Sequence, residues 1–484
     1  MEQRKTPLLD AIVDYTTNRP VYFKIPGHRY EKGISPRWRQ WTGDGIFRFD
    51  LTEAEGLDDL HEPEGVIREA QELAAEVFQA KKTYFLVNEA MVLASVKEGE
   101  KIMVARNAHK SVLMGLTLSG AVPVYLMPKQ DPVTGLWGSL DPETVEEGFR
   151  QYPDCKAVFL VSPTYYGVCS NIRSIADICH RHGALLLVDE AHGGHLYFQK
   201  EGTATETLPR GAILQDADMC AQSMHKVTGS LTQSSLLHVG SDRVDLGRLE
   251  ACLHIVQSTS PSYLLMTSLD AARYELALHG EEMLQRGLAL AQMAREAMKK
   301  IPGITCVGEA SRGKAIYNLD LVRLVISASD LGLSGYQLAD RLYEKYKIGM
   351  ELADDRYVVA VVTYANEESD MRQLVEALED ISRKMTGKNN VDVVNAETRL
   401  IPQIPPMIDT PRQAFFKEKK RIPWREAKGK IAAEALIPYP PGIPLVNPGE
   451  LVTEEIWEYM EEYRKKGLHF HGPSDASLDS FCVL

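Results

Sequence analysis

Seven short apolar runs punctuate residues 82–240: TYFLV, KIMVA, VPVYLM, KAVFLVS, ALLLVDE, MCAQS and SSLLHV. Stretches with helical spacing lie between them, such as HKSVLMGLTLSG and IRSIADICHRHG, and GVIREAQELAAEVFQA (65–80) precedes them. Continuous apolar strands alternating with helices predict an α/β fold whose large domain holds a mostly parallel sheet covered on both faces. Such sheets present ligand-binding residues just beyond the carboxyl ends of their strands.

The pattern changes on either side. Residues 1–65 read as an irregular arm, in which YFKIPGHRY is an extended segment closed by a Pro-Gly turn. A long helix is predicted over about 262–300. LVRLVISAS, SGYQLADRLYEKYK, MELADDRYVVAVVTY and ESDMRQLVEALEDISRKM then read β-α-β-(β)-α, with Ser334 and Gln337 at capping-box spacing. TGKNNVDVVN reads as a linker, and the tail around IPYPPGIPLVNPGE holds its path through proline stiffness rather than sheet or helix. The expected division is an arm (1–65), a large domain (66–300), a small α/β domain (301–388) and a C-terminal domain (389–484).

Composition narrows the function. With 54 basic against 67 acidic residues the net charge is −13, which argues against a general nucleic-acid binder. Seven scattered cysteines without a C-x-x-C pair suit a reducing cytoplasm and argue against a cysteine-based zinc site. No window approaches a membrane span and no signal peptide is evident, so a cytoplasmic protein without a membrane partner is expected.

AQSMHKVTGS (221–230) sets a histidine beside a lysine among small and hydroxyl residues. Asp189 ends one predicted strand, and Lys226 follows another. In a parallel sheet both emerge at the same edge, which suits an aldehyde cofactor with a basic ring nitrogen: the lysine forms a Schiff base and the carboxylate keeps the nitrogen protonated. Taken singly, Asp189 reads equally as a helix cap and the His-Lys pair as surface decoration. A hydrolytic triad of Ser223, His225 and Asp189 lacks the G-x-S-x-G elbow. The other strand ends add His109 and Ser111, Thr164, and the small Ala191 with His192.

Together these segments resemble the Orn/Lys/Arg decarboxylase family, in its shorter bacterial form. The likeness runs nearly end to end through TPLLDAI, IPGH, GLDDLHEPEGVI, RNAHKSV, SPTYYG, VDEAHGGH, SMHK, SLTQSSLLH, STSPSYLLMTSLDAAR and AEALIPYPPGIPLVNPGE. The resemblance implies the fold-type-I architecture of the aspartate aminotransferases with a family-specific C-terminal domain. It implies pyridoxal 5'-phosphate as cofactor, bound covalently by Lys226, with Asp189 at the pyridinium nitrogen and His109 stacked opposite Ala191. Ser223 and His225 are implied at the phosphate, with Thr164 also against the cofactor. Ser260 would reach the cofactor of a neighbouring subunit, so a homodimer or larger homo-oligomer is expected. His192 is implied near the cofactor hydroxyl or the substrate carboxylate, and Lys226 or His225 as proton donor.

The implied substrate is a basic amino acid, with Glu53, Glu55, Asp58, Asp59 and Glu351 as candidate partners for its distal cation. The run GSLTQSSLLH is more similar to the short arginine decarboxylases, which favours arginine giving agmatine and carbon dioxide in polyamine biosynthesis; lysine and ornithine remain alternatives. An aminotransferase would need a carboxylate-gripping arginine, for which only Arg323 and Arg356 are at hand. The chain departs from the family where a Gly- and Ser/Thr-rich phosphate loop is expected, because Asn88 runs directly into Glu89. Two readings stay open there: a true deletion, which weakens cofactor binding and admits a non-catalytic homologue, or a segment missing from the given sequence.

Overall fold

The structure, a computed structural model, describes residues 2–18, 20–21, 23–86, 90–385, 401–438, 442–465 and 470–484. The linker TGKNNVDVVN and the Asn88–Glu89 junction lie outside the described residues. Strands of four or more residues are numbered β1 (Lys82–Phe85), β2 (Lys101–Ala105), β3 (Val122–Leu126), β4 (Ala157–Val161), β5 (Leu185–Asp189) and β6 (Met219–Gln222). They continue with β7 (Leu236–Val239), β8 (Arg323–Ser327), β9 (Tyr357–Val361), β10 (Lys420–Pro423) and β11 (Ser480–Val483).

The chain folds as two compact units: 1–95, 187–199 and 210–283 form the first, and 96–186, 200–209 and 284–484 the second. In the first unit the strand order is β1-β7-β6-β5. β5 and β6 run parallel, pairing Leu187 with Met219 and Asp189 with Ala221. β7 runs antiparallel to both its neighbours, the exception that the mostly parallel expectation leaves room for. The reason lies in residues 223–235, which hold only the 3-10 turn Met224–Lys226 and no apolar helical run to carry the chain back across a sheet face.

The amino-terminal arm is more ordered than expected. Helix Pro7–Asn18 buries Leu8, Ile12 and Thr16, one face at i, i+4 spacing. The Asp270 carboxylate accepts from the Leu8 and Leu9 amides at 3.1 and 3.3 Å, meeting two donors that a helix start leaves open. Asp58 does the same for helix Val66–Val77: its carboxylate oxygens accept from the amides of Glu64 (3.0 Å), Gly65 (2.8 Å) and Ile67 (3.0 Å). Asp58 therefore organises a helix entry, and its carboxylate is spent on backbone donors.

In the second unit β2 pairs in parallel with both β3 and β4. The small sheet joins β8 and β9 antiparallel, and helices Gly335–Tyr346 and Glu368–Met385 share its core of Leu324, Ile326, Leu338, Val358 and Leu378. The capping box of Ser334 and Gln337 forms as expected. The C-terminal tail departs from the expectation of a path set by proline stiffness. It builds a core of its own from Trp424, Leu436, Val446, Ile456, Met460 and Phe481, with β10 paired to β11 and helix Glu454–Lys465 alongside. Apolar residues spaced between the prolines supply enough buried surface for that.

Arg106, the first residue after β2, joins this tail to the strand end. Its side chain is fully buried and donates to Glu450 Oε1 (2.6 Å), Glu450 Oε2 (2.7 Å), the Pro444 carbonyl (2.8 Å) and the Leu445 carbonyl (3.0 Å).

Candidate active site

The carboxyl ends of β5 and β6 bring the central candidates together. Because β5 and β6 are parallel and in register, Asp189 stands beside Ala221, and the chain turns into Ser223, His225 and Lys226 just beyond. Lys226 is half-buried, and its Nζ lies 3.2 Å from Nε2 of the buried His192. The Ala191 amide donates to Asp189 Oδ1 at 3.1 Å, which fixes that carboxylate at the strand end.

His225 Nδ1 donates to the Ser234 carbonyl at 3.0 Å, so the Nδ1 donor that a hydrolytic triad would aim at Asp189 is committed elsewhere. Ser223 is buried and starts the 3-10 turn. Ser260 is exposed, and its amide donates to Ser258 Oγ at 3.2 Å. Glu53 accepts from the Thr52 hydroxyl, and Glu55 is ion-paired with Lys24 at 2.8 Å.

The second unit carries the remaining candidates. His109 is exposed on the turn after β2, where Nδ1 accepts from the Ser111 amide at 3.3 Å and lies 3.1 Å from Ser111 Oγ. Nε2 therefore carries the ring proton. Thr164 is buried in a tight turn, its hydroxyl accepting from the Val168 amide at 3.2 Å. Glu351 is exposed. Arg356 donates to the carbonyls of Thr134 (2.8 Å) and Val133 (3.4 Å), and Arg323 is buried beside Asp320 at 3.7 Å. Neither arginine is held as an accessible clamp for a substrate carboxylate.

Behind the site runs a buried polar chain that the sequence reading missed. Glu190 follows Asp189, so strand alternation sends its side chain to the opposite face. Its carboxylate accepts from the Ala212 amide (2.6 Å), the Tyr197 hydroxyl (2.8 Å), Gln222 Nε2 (2.8 Å) and Cys220 Sγ (3.5 Å). Gln222 Oε1 in turn lies 3.1 Å from His238 Nε2, and His238 Nδ1 lies 2.8 Å from the Thr83 hydroxyl. Burial lowers the His238 pKa to about 3, so the ring is neutral. The chain then has one self-consistent proton order: Thr83 donates to Nδ1, Nε2 donates to Gln222, and Gln222 donates to Glu190. It crosses β1, β7, β6 and β5, and so pins the strands that end in Asp189 and lead to Lys226.

Burial pushes the Glu190 carboxyl up to about 7, outweighing the donors that hold it down. A carboxyl whose pKa is raised on folding stabilises the folded chain fully below about pH 4.5, and that contribution is lost as pH rises through about 7. The difference is on the order of 3 kcal/mol. Glu190→Gln is therefore expected to flatten the pH dependence of the urea unfolding midpoint between pH 4.5 and 7. A slope equal to that of the unmodified chain would show that Glu190 does not titrate in this window.

Residues 6–370 match the Orn/Lys/Arg decarboxylase major domain, and residues 395–475 match the Orn/Lys/Arg decarboxylase C-terminal domain. The arginine decarboxylase of Bacillus subtilis (strain 168) is 39% identical over 100% of this chain and 99% of its own length. That of Halalkalibacterium halodurans is 38% identical over 100% and 98%. Among solved structures, the Francisella novicida lysine decarboxylase superposes with a TM-score of 0.81, covering 99% of this chain and 80% of its own, at 20% identity. That likeness bears out the expected fold: the large α/β domain, the smaller one and the C-terminal domain. A lysine and a carboxylate at adjacent parallel strand ends and two family matches spanning the chain carry one conclusion: this is an amino-acid decarboxylase and belongs to the Orn/Lys/Arg decarboxylase family.

Proposed function

We propose that this enzyme decarboxylates L-arginine to agmatine and carbon dioxide, with pyridoxal 5'-phosphate held by Lys226. The observation that carries the site assignment is the contact of Lys226 Nζ with His192 Nε2 at the edge where Asp189 also emerges. The donor set fits the cofactor: an amine beside an imidazole, an anchored carboxylate, and a small residue, Ala191, between Asp189 and His192. Pyridoxal phosphate, when bound, supplies an aldehyde for an amine to add to and a ring that takes up the electron pair left by departing carbon dioxide.

The chain's own groups divide the remaining work. His192 Nε2, 3.2 Å from Lys226 Nζ, would lie near the cofactor hydroxyl or the substrate carboxylate and hold the amine in place. Asp189 keeps the ring nitrogen protonated, with its carboxylate aimed by the Ala191 amide. Following the family resemblance, His109 and Ala191 would cover the ring faces and Ser223, His225 and Thr164 would hold the phosphate side, with Ser260 contributed by a second copy, so the active unit would be a homodimer or larger homo-oligomer. Glu53, Glu55 and Glu351 are the carboxylates offered to the distal cation of the substrate. Lys226 Nζ would return a proton to the substrate α-carbon in preference to His225, whose Nδ1 proton is bonded to the Ser234 carbonyl. One proton is consumed per turnover.

Identity to arginine decarboxylases of 38–39% against 20% to a lysine decarboxylase supports arginine, and agmatine places the enzyme in polyamine synthesis. None of the seven cysteines forms a disulfide. Among the described residues no helix is long and apolar enough to cross a membrane. Carbon dioxide release from arginine, lysine and ornithine tests the assignment. Arginine is expected to lead in kcat/KM by about 100-fold or more; a lead for lysine or ornithine would overturn it.

A further inference from the structure

The geometry points to the Arg106–Glu450 pair as a positioning device for His109, through which the C-terminal domain acts on the reaction. This rests on the reading above, in which His109 lies against the cofactor ring. Arg106 is the pivot between β2 and the His109 turn: its amide still bonds the Leu126 carbonyl at 2.8 Å, and the Ala108 amide already closes the turn onto Ala105 at 2.9 Å. Three residues beyond Arg106 stands His109. The planar guanidinium is fixed by four hydrogen bonds to residues 444–450 and lies over the Tyr125 ring, 4.6 Å from its centroid.

The partner is equally constrained. Glu450 Oε2 also accepts from the Asn447 amide at 2.7 Å, and Ala432 donates to the Glu450 carbonyl at 2.8 Å. On the other side of the turn, Asn107 Nδ2 donates to the Gly138 carbonyl at 3.1 Å. Attachment of a domain alone is served at least as well by apolar contact, because burying both charges forfeits their hydration. A bidentate pair at 0% and 1% exposure supplies direction as well as adhesion, and it sits next to the residue that must meet a ring face.

A built-in contrast lies nearby. Arg412 ties the same C-terminal segment to the far end of helix Ser111–Ser119, through the carbonyls of Thr117 (3.2 Å) and Leu118 (2.9 Å). It holds the domain but has no bond to the His109 turn.

Arg106→Lys keeps the charge but loses the fork; Arg412→Ala serves as control. In the full-length chain without cofactor, amide exchange at 107–112 is expected to quicken about 10-fold in Arg106→Lys and to stay unchanged in Arg412→Ala. With pyridoxal phosphate bound, Arg106→Lys is expected to weaken the visible circular dichroism of the cofactor. It should also lower kcat about 10-fold with KM within about twofold, as a mispositioned group does. Where Arg106→Lys unfolds the chain, Arg106→Met with Glu450→Leu removes both charges at similar volume and is read the same way. Unchanged exchange at 107–112 in the folded variant overturns the positioning role, whatever the cofactor does. An unmodified enzyme that shows no visible band overturns the cofactor reading instead, and the exchange result still decides the mechanical link.

Discussion

Lys226→Ala is expected to abolish the visible absorption of the cofactor-loaded protein and to lower carbon dioxide release by a factor on the order of 10⁴ or more. Three properties of the position concentrate the effect there. The amine is half-buried four residues past the end of β6, it touches the His192 imidazole, and it closes the 3-10 turn Met224–Lys226, which fixes its height above the sheet edge. Alanine removes the nucleophile and the proton carrier together, while the backbone bond from the Lys226 amide to the Ser223 carbonyl at 3.0 Å is kept. The variant should therefore fold, which far-ultraviolet circular dichroism checks. Turnover above about a hundredth of the original rate in a folded Lys226→Ala protein would assign the chemistry to another amine.

The second large effect is expected at Asp189. Were Asp189 to face a protonated ring nitrogen, a unit charge pair at about 4 Å would contribute about 4 kcal/mol at an effective dielectric near 20, which corresponds to roughly 10³ in rate. Asp189→Asn keeps an oxygen for the Ala191 amide and so keeps the local turn, but it removes the charge. The expected result is a fall in single-turnover rate of that order, with cofactor still bound and its absorption shifted. A rate within about threefold of the original would remove Asp189 from the assignment.

Much of this arrangement was legible in the amino-acid order, for a physical reason: buried strands must be apolar, and seven such runs mark where the sheet lies. Strand ends then locate Asp189 and Lys226, and the structure places those ends side by side. What the pattern could not express is direction, and β7 runs opposite to its neighbours. The helix Pro7–Asn18 was readable from Leu8, Ile12 and Thr16 but was masked by the turn-rich segment that follows it. In the C-terminal tail the prolines drew attention away from the aromatic and aliphatic residues that form its core. Long-range polar partners leave no spacing signature at all. Arg106 and Glu450 are 344 positions apart, and Glu190 could be separated from Asp189 only by its opposite facing.

The reversed strand has a consequence for how this enzyme can vary. Gln222 and Leu236 are register partners across β6 and β7, so the segment bearing Lys226, the proposed reactive amine, is a tether clamped at both ends. Lengthening such a tether costs folding little, since doubling a loop adds only about 0.6 kcal/mol of closure entropy. The amine, however, would lose its fixed reach. Insertions between the clamps are thus filtered by turnover and hardly at all by thermal stability, and a survey of such variants should find well-folded, silent enzymes.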